Sequence, residues 1–172
     1  SAYMGGYCFL NNAAIAAQYL RNHGLQRVAV LDIDYHHGNG TQAIFNERSD
    51  VYTVSIHGDP QTEYPFFLGH ADERGSADGE GYNLNLPLPK GTEFESWYAT
   101  LQMAIQSIAD YAPQALVVPL GLDTYVGDPI NALKIFNEKE VDEIAVLDIG
   151  ASRQNRAPDL EYIRQLASEC FM

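Results

Sequence analysis

The stretch "VAVLDIDYHHGNGTQ", residues 28–42, decides the fold. Five of the six residues from Val28 to Ile33 are apolar, and Val and Ile dominate. A short β-branched run of this kind is a strand buried on both faces, the signature of a parallel sheet covered by helices. Asp32, Asp34, His36 and His37 follow at its carboxyl end. Open parallel sheets bind ligands just outside the carboxyl ends of their strands, so this run marks both the core and the candidate site.

Working outward, Asn11 or Asn12 caps a helix over "AAIAAQYLRNHG", with Ala13, Ile15, Ala16 and Leu20 as its apolar stripe and Gly24 as its stop. "GTQAIFNE" starts a short helix after the glycines, and "VYTVSI" (51–56) is a second strand. Residues 57–82 form a long polar loop with an aromatic knot, "EYPFFLGH", and loops of this length are usually functional or mobile. "NLNLPL" is a short extended piece. "TEFESWYATLQMAIQSIADY" is a long helix capped near Thr92 or Glu93, with Phe94, Tyr98, Leu101, Ile105 and Ile108 on one face. "QALVVPLGLD" is a further buried strand ending in Gly121 and Asp123; "NEKEVDEIAVL" and "DLEYIRQLASECF" read as helices, the last with Leu160, Ile163, Leu166, Ala167 and Cys170 on its apolar side. Strands alternating with helices predict an α/β fold with a mainly parallel sheet. The strands at 27–33, 51–56 and 115–120 are expected to lie parallel in it, and the 172 residues to form one domain.

Composition narrows the function. The apolar fraction of 46% suits a globular protein, and no apolar run reaches the ~20 residues of a membrane span. The start "SAYMGGYCFLNN" lacks the pattern of a signal peptide, and Cys8 and Cys170 suggest no disulfide framework, so a cytoplasmic location is expected. With 23 acidic against 10 basic residues the formal charge is -13, which disfavours nucleic acid or an anionic membrane and would attract a small cation.

In an extended chain, side chains two apart share a face, so Asp32, Asp34 and His36 point together if the strand continues to position 36. Asp123, past the end of another buried strand, would join them. Two carboxylates and an imidazole in a poorly solvated site repel or protonate unless a cation is present. Three such ligands with an open fourth position match a catalytic rather than a structural zinc site, and Fe2+, Co2+ or Mn2+ also accept this set. The bland alternative is that the aspartates cap nearby backbone while the histidines pack. His37 points away by strand parity and reads as structural, whereas His57 can serve either role. The "GNG" that follows lets the chain turn sharply.

The blocks "GGYCFLNNAAIAA", "DIDYHHGNGTQAIF", "VYTVSIHGD" and "GLDTYVGDP" together resemble the histone deacetylase superfamily, specifically its acetylpolyamine amidohydrolase branch, over residues 1 to about 136. The resemblance implies an arginase-deacetylase fold, incomplete here, and hydrolysis of an N-acetyl amide at a zinc ion. It implies Asp34, His36 and Asp123 as metal ligands and Asp32 as a residue that orients a catalytic His. It implies a monovalent cation, usually potassium, on oxygens of Asp32, Asp34, His36, Ser55 and Ile56. Gly6 and Tyr7 match the acyl tunnel, and Phe66 or Phe67 an aromatic wall.

The substrate implied is a small cationic acetylated amide, with Glu63, Asp72 and Glu73 near the mouth to receive its distal ammonium, and the assembly implied is a homo-oligomer of at least two chains. The family's tandem His pair before "GGYC" and its Gly-rich turn bearing a Tyr are not among these 172 residues, and the tail from about residue 146 diverges. The expectation is therefore the central part of a deacetylase domain that binds metal and turns over weakly. Two rivals remain: a degenerate module that binds metal or ligand without turnover, and an aspartyl phosphatase of the haloacid dehalogenase type, which also places "DxD" after an apolar strand. Deacetylation assays with zinc or cobalt separate the first, Mg2+-dependent phosphatase activity the second.

Overall fold

The computed structural model describes residues 10–121 together with Arg164. The chain divides into two compact units, residues 1–121 and 122–172. Gly6, Tyr7, Asp123 and, Arg164 apart, the helices expected over 137–147 and 159–171 lie outside the described residues.

In the first unit, α1 (Asn12–Asn22), β1 (Val28–Asp32), α2 (Asn39–Phe45), β2 (Val51–Gly58), a 3-10 turn (Ala77–Gly79), β3 (Asn83–Leu88), α3 (Phe94–Tyr111) and β4 (Ala115–Val117) follow in order. The four strands form one sheet in the order β3-β2-β1-β4, and every pairing is parallel. Val28 pairs with Val51 on one side and Ala115 on the other, and Asp32 with Ser55. The three expected strands are thus parallel in one sheet, and "NLNLPL" is a fourth strand at its edge. No described helix is long and apolar enough to cross a membrane.

All five residues of β1 and all eight of β2 are buried, as two-sided coverage requires. On one face Val28, Val30 and Val51 pack with Ala14 and Ala17 of α1 and Phe45 of α2. Alternation turns Tyr52 to the other face, where its hydroxyl lies 2.5 Å from Ser107 Oγ of α3. Asn11 is the cap of α1: its Oδ1 accepts from Ala14 N at 2.8 Å, and its Nδ2 donates to Thr41 Oγ1 of α2 at 2.9 Å. Asp50, just before β2, accepts from Arg21 at 2.6 Å and from Arg48 at 2.8 Å, tying the end of α1 to the start of β2.

Two helix faces differ from the sequence reading. In α1 the buried residues are Ala14 and Ala17, while Ile15 is exposed. In α3 Leu101, Ala104 and Ile108 are buried, whereas Phe94 and Ile105 are about half exposed. Hydropathy weights the large side chains, but α1 lies against the sheet through its alanines, which permit close approach, and in α3 Leu101 and Ile108 are buried as expected with Ala104 between them.

Candidate functional site

The strand β1 ends at Asp32, and the chain bends through residues 34–36 rather than continuing extended. Each carboxylate caps the amide two residues on: Asp34 N donates to Asp32 Oδ1 at 3.1 Å, and His36 N donates to Asp34 Oδ1 at 2.7 Å. The backbone-capping role foreseen as the bland alternative is therefore present. It brings Asp34 and His36 together by a different route from strand parity. His36 Nδ1 stands 3.3 Å from Asp34 Oδ1, with both side chains partly exposed. That spacing is a long hydrogen bond as it stands, and among the described residues no three His, Cys, Asp or Glu side chains are grouped so as to hold a metal ion.

Two glycines allow this bend, though by close approach rather than by unusual dihedrals. Gly38 has φ -73, open to any residue, but a Cβ there would lie 2.3 Å from Asp32 Oδ2. A Cβ on Gly121 would lie 2.1 Å from Asp34 Oδ2. Ile33 N donates to Pro119 O at 3.2 Å, so the chain leaving β4 still runs beside β1 at the site.

Behind the bend lies a buried polar layer. Asp32 and Ser55 are buried register partners, and Ile56 is 1% exposed beside them. Ser55 Oγ donates to His57 Nδ1 at 2.8 Å, and His57 Nε2 donates to Gly69 O at 2.9 Å. That second bond fixes the Nε2–H tautomer, since a carbonyl only accepts. Burial lowers the His57 pKa and keeps the ring neutral. His37 is also buried; burial first, and then the neighbouring His57, lower its pKa to about 4. Its Nε2 lies 2.9 Å from Gln42 Oε1, which makes it a packed, neutral side chain. Among the described residues, His37 Nδ1 and Asn85 Oδ1 are buried acceptors without a hydrogen-bond partner. Both residues line a cavity of about 10 Å3, the size of about one water, whose wall also includes Asp32, Gly38 and Ser55.

In front of the bend stands the aromatic segment. Tyr35 and Tyr64 meet the His36 ring edge-on, with centroids 5.3 and 6.2 Å away, and Tyr64 meets Phe66 at 6.3 Å. Phe66 is 50% and Phe67 84% exposed. Tyr64, beside His36, was not among the residues picked from the sequence; its position in "EYPFF" was the available signal. Glu63 faces Lys90 at 3.6 Å. Glu73, expected near the mouth as an ammonium acceptor, is engaged elsewhere. Its carboxylate accepts from Gly69 N and His70 N at 3.1 Å and from Gln42 Nε2 at 2.5 Å. Burial pushes its pKa up, but these bonds outweigh burial and lower it.

Residues 1–149 match the sequence model of the histone deacetylase domain. The chain is 58% identical over 133 residues to acetylpolyamine amidohydrolase 2 of Pseudomonas aeruginosa, a match spanning 77% of this chain and 39% of that protein. It is 49% identical over 131 residues to the acetylpolyamine amidohydrolase of Mycoplana ramosa, spanning 76% and 38%. Among solved structures, the acetylpolyamine aminohydrolase of Burkholderia pseudomallei superposes with a TM-score of 0.77 at 40% identity, covering 98% of this chain and 50% of that one. A histone deacetylase homologue from Aquifex aeolicus gives 0.73 at 31% identity, covering 80% and 40%. The chain thus spans about two fifths of the length of the relatives it matches in sequence.

Proposed function

The chain belongs to the histone deacetylase domain family, and we propose that it carries the metal-binding part of a hydrolase that removes acetyl groups from small cationic amides. The observation that carries this reading is the convergence of Asp34 Oδ1 and His36 Nδ1 to 3.3 Å at the end of β1. Asp123 supplies the third ligand. Its support is the "GLD" block at residues 121–123, within the stretch that matches the histone deacetylase domain. Zn2+, Fe2+ or Co2+ suits this set of two carboxylates and one imidazole. A bound divalent ion supplies Lewis acidity, polarising an amide carbonyl and lowering the pKa of bound water.

The chain's own residues hold and shape the site. Asp32 caps the amide of Asp34 and so sets where that carboxylate points. With Ser55 it also supplies oxygens for a monovalent cation, K+, together with Asp34, His36 and Ile56. Tyr64 stands beside His36 and Phe66 beside Tyr64, and with Phe67, Gly6 and Tyr7 they form the wall and tunnel for an alkyl ammonium stem. Such a stem packs on rings while its charge gains from their π-faces. The names of the relatives support an acetylpolyamine rather than a peptide as substrate. General acid/base groups and an oxyanion donor, which the reaction also needs, are not assigned to any described residue. The same reading includes self-association into at least a dimer, which light scattering tests.

Metal analysis decides the core of the proposal. The parent chain is expected to bind one equivalent of Co2+ or Zn2+, and Asp34→Ala and Asp123→Ala to lose it. Equal metal content in all three would remove the reading. Calorimetry with an acetylated diamine and an acetylated lysine peptide then addresses the substrate: a peptide bound as tightly as the diamine would overturn that part.

A further inference from the structure

We propose that Glu73 and Gln42 form a positioning pair that anchors the aromatic segment 64–68 beside His36. Its role at a ligand entrance rests on the function proposed above; the anchoring itself does not. The segment holds little by its own contacts, since Tyr64, Phe66, Phe67 and Leu68 are each more than 40% exposed. The chain leaves the sheet after Gly58 and re-enters it only at Asn83, and Gly69, at the far end of the segment, is where it is fixed. There φ is +104, and a Cβ would lie 2.7 Å from His57 Nε2 and 2.8 Å from His37 Cγ. The Gly69 carbonyl accepts from His57, and its amide donates to Glu73.

The pairing is directional. Every group bonded to the Glu73 carboxylate is a donor: two backbone amides and the Gln42 Nε2. That contact turns the Gln42 Oε1 toward three further donors, His37 Nε2 at 2.9 Å, Asn85 Nδ2 at 2.9 Å and Asn83 Nδ2 at 3.2 Å. Asn83 and Asn85 also donate to the carbonyls of Glu73 and His70, at 2.7 and 3.2 Å. One acceptor-only side chain at position 73 thus sets the polarity of a network that clamps residues 69–73 onto β3 and α2. An amide in its place must turn a donor against a donor.

The test follows from that polarity. Chymotrypsin cleavage within residues 64–69, with fragments identified by mass, reports local opening of the segment. Glu73→Gln keeps the packing and is expected to speed this cleavage about tenfold or more, as loss of bonds to a charged acceptor should. The double variant Gln42→Glu/Glu73→Gln reverses the one bond between the pair and leaves acceptors for every other donor, so cleavage should return to within about threefold of the parent. Asp50→Asn, which breaks the ion pairs before β2, controls for general destabilisation and should change cleavage at 64–69 no more than about twofold. Unchanged cleavage in Glu73→Gln, or a double variant as fast as the single, overturns the proposal. Cobalt titration of the same proteins keeps the two readings apart: a parent that binds no cobalt removes the metal site but leaves the cleavage comparison decisive for the clamp.

Discussion

Replacing Gly38 by alanine puts a methyl group where the bend after β1 folds back on Asp32. The new Cβ would stand 2.3 Å from Asp32 Oδ2, and real Cβ atoms essentially never come within 3.0 Å of a neighbour, so the carboxylate must retreat by at least 0.7 Å. Nothing is lost in the backbone, because φ -73 suits alanine. The penalty is therefore mainly contact, with a smaller loss because alanine is a poorer N-cap for α2 than glycine. Asp32 is buried and its Oδ1 holds the Asp34 amide at 3.1 Å. Overpacking of this kind costs about 1–3 kcal/mol, and a strained buried hydrogen bond adds about 1. We expect Gly38→Ala to lower stability by about 2–4 kcal/mol. Gly40→Ala, two residues on and inside α2, is the control. There alanine gains about 1 kcal/mol of helix propensity, partly offset because its Cβ would meet Asn11 Nδ2 at 3.3 Å. Urea unfolding by circular dichroism reads both as midpoint shifts at constant slope. A Gly38→Ala protein within about 0.5 kcal/mol of the parent, or a Gly40→Ala protein as unstable as Gly38→Ala, would refute the reasoning.

Two further outcomes are expected. Hydrogen bonds from Arg48 lower the Asp50 pKa from 3.8 to about 2, with Arg21 adding to the effect. The carboxylate is depressed in the fold, so its contribution is full above pH 4 and disappears as pH falls from about 4 to 2. It amounts to about 2 kcal/mol at most for this partly exposed group. Asp50→Asn should remove that acid-dependent part of the urea midpoint, and an unchanged pH profile would contradict it. On α3, Leu101→Ala should cost about 2–4 kcal/mol, while Ile105→Ala should stay near the roughly 0–1 kcal/mol of a half-exposed site. Equal losses would mean that the buried face is the one hydropathy suggests.

Much of the frame was legible because it rests on periodicity. The apolar run at 28–33, interrupted only by Asp32, reads as covered on both sides, and the strand–helix alternation left a parallel sheet as the simplest topology. The placement of Asp32, Asp34 and His36 at the end of β1 was legible because it follows from the same reading. The detailed contacts were not. Strand parity extended to His36 predicts one face, but the Asp32 and Asp34 carboxylates cap backbone amides locally and bend the chain. A short polar side chain that competes for the backbone outweighs extended geometry as soon as the ladder ends.

In "NLNLPL" hydropathy would turn the leucines inward. Instead Asn83 and Asn85 are each 2% exposed, because their amides find Gln42 and the carbonyls of Glu73 and His70 across the sheet edge. Nor does the sequence around Glu73 distinguish a mouth carboxylate from an anchoring one. By itself, then, the sequence determined the fold class, the family and the stretch that carries the candidate ligands, since these are read from local patterns and motifs. Which face of each helix is buried, why Gly38 and Gly121 must lack a side chain, and where Glu73 spends its charge were decided only by tertiary structure. Each depends on a partner 6 to 87 positions away, and steric and hydrogen-bond complementarity between such partners exists only once the sheet has formed.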